Sequence, residues 1–314
     1  MSKELIGQAF ALATAITWAF ALVLFRHSGR QIRPLPLNLF KCVVAAALFV
    51  VTVLLGPLVP GWLGEECRWP GTGWSAESLW RLIGSGVIGI AVADTLFFAA
   101  LNRIGVGILS IVDCLYTPFV ILCSWLLLPG DVLTWYHVAG AALVLSGVVV
   151  SSGHSPPANT TRGQLVAGIL YGAGAMGLMA LGIVMAKPAF DDVPLIWACL
   201  IRLVAGSAAL AAIVAMLPDG RQLWGVFRPS LTWRTAVPAA LLGSYLAYLF
   251  WMAGFKYANA AANAILNQTS IVFAIILATL VLREPFTRRK AVSVCLALSG
   301  MAVVMADQIA TLLH

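Results

Sequence analysis

Ten apolar stretches, each about 18–24 residues long, follow one another along this 314-residue chain with short polar connections between them. They fall at 5–26, 35–58, 81–102, 106–128, 135–152, 163–186, 194–217, 235–255, 260–282 and 290–312. A helix rises 1.5 Å per residue, so about 20 residues cross the ~30 Å hydrocarbon core of a bilayer. Only 10% of the residues are charged and 61% are hydrophobic, whereas soluble chains carry about 25% charge. That balance excludes an ordinary soluble enzyme, a disordered chain and a fibrous one. A transmembrane β-barrel would need short alternating segments, and none is present. The expectation is an all-α polytopic membrane protein with ten transmembrane helices. The first stretch, IGQAFALATAITWAFALVLF, is followed by Arg26-His27 and not by a small-residue cleavage site, so it reads as a retained helix.

Two connections are longer. Residues 59–80 are rich in Gly, Pro and Trp and are expected to lie along the membrane interface. Residues 153–162, GHSPPANTTR, form a polar linker that divides the chain into 1–152 and 163–314. The two parts repeat one another. A shift of 153 lays Leu145-Ser146-Gly147 on Leu298-Ser299-Gly300, Asp131 on Glu284, Thr134 on Thr287, Arg103 on Lys256 and Phe98 on Trp251. With slightly different offsets, Gly7-Gln8 matches Gly163-Gln164 and Lys41 matches Arg202. Five spans per copy force the second copy upside down, giving two inverted five-helix repeats, a design common among secondary transporters.

Charge sets an orientation. With the N-terminus on one side, that side carries five basic residues and the other twelve, including Arg283, Arg288, Arg289 and Lys290. The positive-inside rule puts the richer side in the cytoplasm and both termini outside. In a membrane chain the net charge of +7 is therefore an orientation signal, with no call for nucleic acid. The six cysteines show no paired spacing and read as small hydrophobes, and the four histidines form no ligand cluster. No metal or cofactor is expected. The partners expected are a small-molecule substrate and membrane lipid, and a monomer and a homodimer both fit.

The stretch from Ala260 to Ala302, AAANAILNQTSIVFAIILATLVLREPFTRRKAVSVCLALSGMA, resembles the end of an EamA-type domain of the drug/metabolite transporter superfamily. The resemblance lies in small residues entering a helix, Glu284 after a long apolar run, Phe286-Thr287 beyond it, and Ser299-Gly300 in the next helix. In the first half it is carried by Gly105, Pro118, Asp131, Leu133-Thr134, Gly140 and Gly147, and by the stretch Gly89 to Gly105. Asp131 stands where glutamate is more usual, and Ile271 where proline is common. The resemblance implies a ten-helix inner-membrane carrier, often exporting amino acids or other small metabolites. Relatives are described with cytoplasmic termini, the reverse of the charge count.

Ionisable groups within spans are costly and are the first functional candidates. Lys41 and Arg202, at matching repeat positions, could attract a carboxylate, with Arg202 able to clamp it through two nitrogens. They could equally be structural pairs or snorkelled anchors. Asp94 and Asp113 have no acidic counterpart in the second half; either could couple protons, or Asp94 could neutralise Lys41. Asn259, Asn263 and Asn267 share one face of the ninth span by their four-residue spacing, and Trp18, Tyr245, Tyr248 and Trp251 offer rings. The expected binding set is thus Arg202, Lys41, Trp18, Tyr245, Tyr248, Trp251, Asn263 and Asn267. Asp131 and Glu284, just before the next helix, read as structural caps. A secondary carrier is the leading reading. A non-transporting assembly protein would have its polar groups paired off and no cavity; a lipid-modifying enzyme would need interfacial metal or nucleophile clusters, which are missing from the sequence.

Overall fold

The structure, a computed structural model, describes residues 3–59, 61–69, 73–128, 134–152, 161–257, 266–267, 269–283 and 286–312, and all their regular structure is helical. The helices are α1 (Lys3–Gly29), α2 (Pro34–Leu55), α3 (Trp62–Cys67), α4 (Ala76–Gly86), α5 (Asp94–Asp113), α6 (Tyr116–Leu127) and α7 (Trp135–Ser152) in the first half. The second half has α8 (Arg162–Ala186), α9 (Leu195–Met216), α10 (Gly220–Leu223), α11 (Trp233–Ala239), α12 (Tyr248–Tyr257), α13 (Ser270–Leu280) and α14 (Arg288–Leu312). Helix occupies part of every expected apolar stretch. Among the described residues, six continuous helices are long and apolar enough to cross a membrane. One of these, Ala76–Asp113, is folded in two at Gly105, whose φ of 75° and ψ of 176° interrupt the helix. Glycine reaches that conformation without a Cβ clash, so the chain turns back there between its third and fourth apolar stretches. A second break follows at Cys114–Leu115, before Pro118 enters the first turn of α6 without an N–H to give.

Helix α1 illustrates how such a chain packs. Ala11, Ala15 and Ala19 recur every four residues and are fully buried, while Leu12, Ile16 and Phe20, one position along, are exposed. Small residues face neighbouring helices and large apolar ones face outward. Water would penalise that outer face; hydrocarbon accepts it, and the small stripe allows backbones to approach closely.

Two π-helical stretches, Val87–Ala93 between α4 and α5 and Ala240–Ala247 between α11 and α12, begin 153 residues apart. The wider π turn disturbs the regular carbonyl pairing, and α2 supplies a compensating donor. Asn38 donates its side-chain amide to Ile90 O at 2.8 Å and to Thr95 Oγ1 at 2.9 Å. The main packing partners are α1 with α12 and α13, α8 with α5 and α6, α2 with α9, and α7 with α14.

The 59–80 connection does not simply lie along the interface. Within α3, Glu66 and Cys67 are buried, and Glu66 ties three elements together. It accepts the Leu195 N–H at the start of α9 at 2.6 Å, pairs with Lys256 Nζ at 2.8 Å, and accepts from Tyr257 Oη at the end of α12. Trp62 donates to Tyr257 Oη at 2.7 Å, and Trp197 donates to Cys67 O at 3.0 Å. Alongside, Ser75 N–H donates to Asp192 Oδ2, and that bond with the neighbouring serine hydroxyls holds this surface carboxyl below its ordinary range. A buried carboxylate with this many donors draws the loop inward because its bonds compensate its desolvation. The opposite end is joined by the exposed pair Arg33–Asp219 and by hydrogen bonds from Thr232 to Gln31 and between Ser28 and Thr235.

The caps expected at Asp131 and Glu284 lie outside the described residues. At the start of α14, the Lys290 N–H bonds the hydroxyl of Thr287 at 3.3 Å, so a threonine caps that helix. Cys42, Cys67, Cys114 and Cys199 are buried as expected of small hydrophobes, whereas Cys295 is on the outer surface.

Replacing Glu66 by Gln keeps its shape and removes its charge. The expected outcome is a loss of about 2 kcal/mol, the usual value of charge-assisted bonds, because Lys256 is left half-buried without a counter-ion. Thermal unfolding of the detergent-solubilised protein measures it; an unchanged midpoint would refute the tie.

Candidate functional site

A central cavity of about 940 Å³, its open mouth included, lies between α1, α2, α5, α6, α9 and the α11–α12 rod. Trp18, Lys41, Asp94, Asp113, Arg202, Tyr248, Trp251 and Asn267 all line it. Eight spans' worth of sequence therefore converge on one hollow, and these expected residues reach it from both halves of the chain. Two do not. Asn263 is outside the described residues. Tyr245 is set off from the cavity: its hydroxyl bonds Thr52 Oγ1 at 2.6 Å and its ring packs edge-on to Phe49 at 4.8 Å. The π turn that ends at Ala247 explains this. It adds a residue to the turn, so Tyr245 rotates off the face that Tyr248 and Trp251 share.

The two cations that match across the repeat have different surroundings. Lys41 Nζ pairs with Asp94 Oδ2 at 2.5 Å and lies 5.5 Å from the Phe98 ring centre. This pair reaches across from α2 to the start of α5, one helical turn from the Asn38 bonds to the π stretch. Its charges largely cancel.

Arg202 has no carboxylate within ion-pairing distance among the described residues. It is 1% exposed, the largest side chain among the described residues to be so fully covered. Its Nη1 donates at 2.9 Å to the sulfur of Met252, a weak acceptor, and its Nε has no partner. The guanidinium sits 5.7 Å from the Tyr248 ring and 5.8 Å from that of Trp251, so quadrupoles supply part of what a counter-ion would. Shifting Asp94 by 153 residues lands on Ala247, which also lines the cavity. The cation recurs in the second half and its acid does not.

Backbone contact fixes where Arg202 stands. A Cβ on Gly86 would lie 2.9 Å from the Arg202 Cα, and one on Gly206 would lie 2.9 Å from the Ile90 Cβ. The α4 rod and α9 thus touch main chain to main chain at this level. Such proximity leaves the arginine little freedom to withdraw toward either membrane face.

Several other polar atoms in the lining are buried without a hydrogen-bond partner: Ser244 Oγ, Tyr248 Oη, and both amide atoms of Asn267. Buried polar groups are normally satisfied, so a group of unsatisfied ones around one hollow marks where a ligand or water would bind. Thr14, Phe97, Tyr116, Ser244 and Ser270 also line the cavity and were not singled out from sequence. Their types are common in membrane helices, and only the fold separates those facing inward. Among the described residues no group of three His, Cys, Asp or Glu could hold a metal ion.

A polytopic helical membrane protein with a central cavity lined from both halves of its chain has the build of a membrane transporter. The chain belongs to the EamA-like transporter family, whose model matches residues 5–153 and again 166–306, and so to the drug/metabolite transporter superfamily. Protein PecM of Dickeya dadantii (strain 3937) is 28% identical over 239 residues, 75% of each chain. A protein of known crystal structure shares the fold, with a TM-score of 0.67 at 20% identity over 98% of this chain and 99% of that one. The chain is a membrane transporter and not an enzyme.

The Lys41–Asp94 pair can be tested as a unit. Lys41→Met or Asp94→Asn alone should each lower thermal stability, by about 3 kcal/mol, since one buried charge is stranded. The double variant should recover most of that loss. Single-variant losses that simply add in the double variant would contradict a direct pair.

Proposed function

We propose that this protein is a secondary carrier that moves a small carboxylate-bearing metabolite, an amino acid or related compound, across the cytoplasmic membrane, in the direction of export. The observation that carries the reading is Arg202: a guanidinium in the central cavity with a free Nε and no counter-ion. An unpaired cation at that depth costs on the order of 3 kcal/mol by insertion scales. Binding a carboxylate across the open edge of the guanidinium offsets that cost and supplies two parallel hydrogen bonds. Asn267, Ser244 and the Tyr248 hydroxyl are the neutral partners for the rest of the ligand. Lys41, already paired, contributes field and not a direct clamp, and Trp18 and Trp251 form ring walls.

The carrier works, on this reading, as two inverted five-helix repeats, 1–152 and 163–314, joined by the 153–162 linker. Two features support that arrangement. The π stretches recur at the repeat spacing of 153, and the main helix pairings keep their pattern when each helix is exchanged for its counterpart. Thus α1 against α12 corresponds to α8 against α5, and the pairs α2–α9 and α7–α14 map onto themselves. Rocking of one repeat against the other would expose a midplane site to each side in turn. The count of basic residues puts both termini outside. Asp113 in the cavity wall is a candidate proton carrier, as is Asp94, which pairs with Lys41.

Initial-rate uptake into proteoliposomes, screened over amino acids, organic anions and sugars with and without a pH gradient, tests the function. Arg202→Ala should reduce transport at least about a hundredfold, and Arg202→Lys should raise KM about tenfold by losing the planar fork. Ala247→Asp, which restores the missing acid, should also abolish carboxylate transport while keeping the fold. Parental rates in well-folded Arg202→Ala would refute the site. In the same vesicles, Asp113→Asn should remove the response to a pH gradient; a retained response would exclude Asp113 as the proton carrier.

A further inference from the structure

A separate hollow, of about 920 Å³ with its open mouth included, lies at the Glu66 end of the bundle, and it shares no lining residue with the central cavity. It forms where three helices stop. Leu128 closes α6, a 3₁₀ turn, Lys187–Asp191, follows α8, and Phe255, Lys256 and Tyr257 end α12. The lining holds three charges, and one is already committed: Lys256 Nζ lies 2.8 Å from each Glu66 oxygen. Lys187 and Asp191 are not. Among the described residues neither makes an ion pair, with the other or elsewhere. The 3₁₀ geometry accounts for this. At three residues per turn and about 2.0 Å per residue, positions four apart are rotated by about a third of a turn and stand about 8 Å apart along the axis. In an α-helix the same two residues would be neighbours. The adjacent Asp192 is taken by the Ser75 N–H, which leaves Asp191 as the carboxylate of the hollow.

We infer that this hollow holds the headgroup of one phosphatidylethanolamine, a lipid with a phosphate and a primary ammonium, whose chains lie along the outer face of α6. The charge pattern carries the headgroup. One uncommitted cation and one uncommitted carboxylate, kept apart by the backbone, are both satisfied by a zwitterion, with phosphate on Lys187 and ammonium on Asp191. A headgroup that is only anionic meets Lys187 but faces Asp191. A trimethylated ammonium has no N–H to give the carboxylate. The surroundings carry the lipid. Phe190 and Phe255 are buried beside the charges, and Leu128 continues the line of Leu122, Trp125 and Leu126, which are exposed on α6. Trp125 and Trp135, on either side of the α6–α7 connection, are exposed as well, and exposed tryptophans mark the depth at which headgroups sit. A soluble zwitterion would meet the same charges and gain nothing from that apolar face.

Detergent-solubilised full-length protein tests this, titrated separately with palmitoyl-oleoyl phosphatidylethanolamine, phosphatidylglycerol and phosphatidylcholine and read by native mass spectrometry. Phosphatidylethanolamine should bind at least about tenfold more tightly than either of the others. Lys187→Gln should weaken it by about the same factor, and Asp191→Asn should bring it level with phosphatidylcholine. Leu128→Trp fills the hollow from the α6 side without altering a charge; it should remove the bound lipid while the unfolding midpoint in lipid-free detergent stays at the parental value. Glycerophosphoethanolamine, the same headgroup without chains, should not compete even in large excess. Equal affinity for the three lipids, or a preference for phosphatidylglycerol, would overturn the zwitterion match. A preference for phosphatidylethanolamine that survives both Lys187→Gln and Asp191→Asn would overturn the assignment to this hollow. Competition by glycerophosphoethanolamine at the lipid's own concentration would overturn the lipid as occupant, in favour of a soluble zwitterion.

Discussion

Arg202 is held in place by backbone contact and not by charge, and this determines much of what surrounds it. Glycine at 86 and 206 lets the α4 rod and α9 meet main chain to main chain, which carries the guanidinium into the bundle. A lysine could bend its stem toward a headgroup; an arginine fixed at this level has a planar head that must find partners locally. It finds two ring faces and a thioether, neither of which cancels its charge. The cavity is the remaining outlet for that field.

The contrast with Lys41 gives the two halves different electrical character. In the first, α2 presents Asn38 and Lys41 on one face; the amide meets the loosened carbonyls of the π stretch and the ammonium meets Asp94. In the second, a π stretch of the same kind ends at Ala247, where an acid would stand. Similar backbones thus support a cation paired with an acid on one side and, on the other, a cation with no ion-pair partner among the described residues. A repeat preserves geometry more strictly than chemistry, and the chemistry that differs is what bears on binding.

The helices were legible in the sequence because hydrocarbon imposes a length and an apolarity that few other environments demand. The break at Gly105 was legible too, as the gap between two apolar runs. The expectation of a repeat rests on charged residues recurring in order, and Lys41, Asp94, Asp113 and Arg202 stood out because charge inside a span is expensive. Tyr245 was misassigned for a physical reason: three-residue spacing implies a shared face only in an α-helix, and a π turn has no clear residue signature. Glu66 escaped notice because a carboxylate in a Gly- and Trp-rich connection looks like surface charge. Its partners, Leu195, Lys256 and Tyr257, are more than a hundred residues away, and only folding brings them to it.

The two ends of the bundle are fastened by unlike means. At one, Glu66 is screened from water and binds a backbone N–H, an ammonium and a phenol at once. At the other, Arg33 and Asp219 meet in the open, with side chains 70% and 37% exposed. Dissolved ions screen exposed charges, with a Debye length of about 10 Å at 0.1 M, and reach covered pairs far less. Ionic strength therefore acts on this molecule as a one-sided solvent lever, loosening the Arg33 end while the Glu66 end stays fastened. How firmly the Arg33 end is fastened is consequently a property of the surrounding salt as well as of the chain itself.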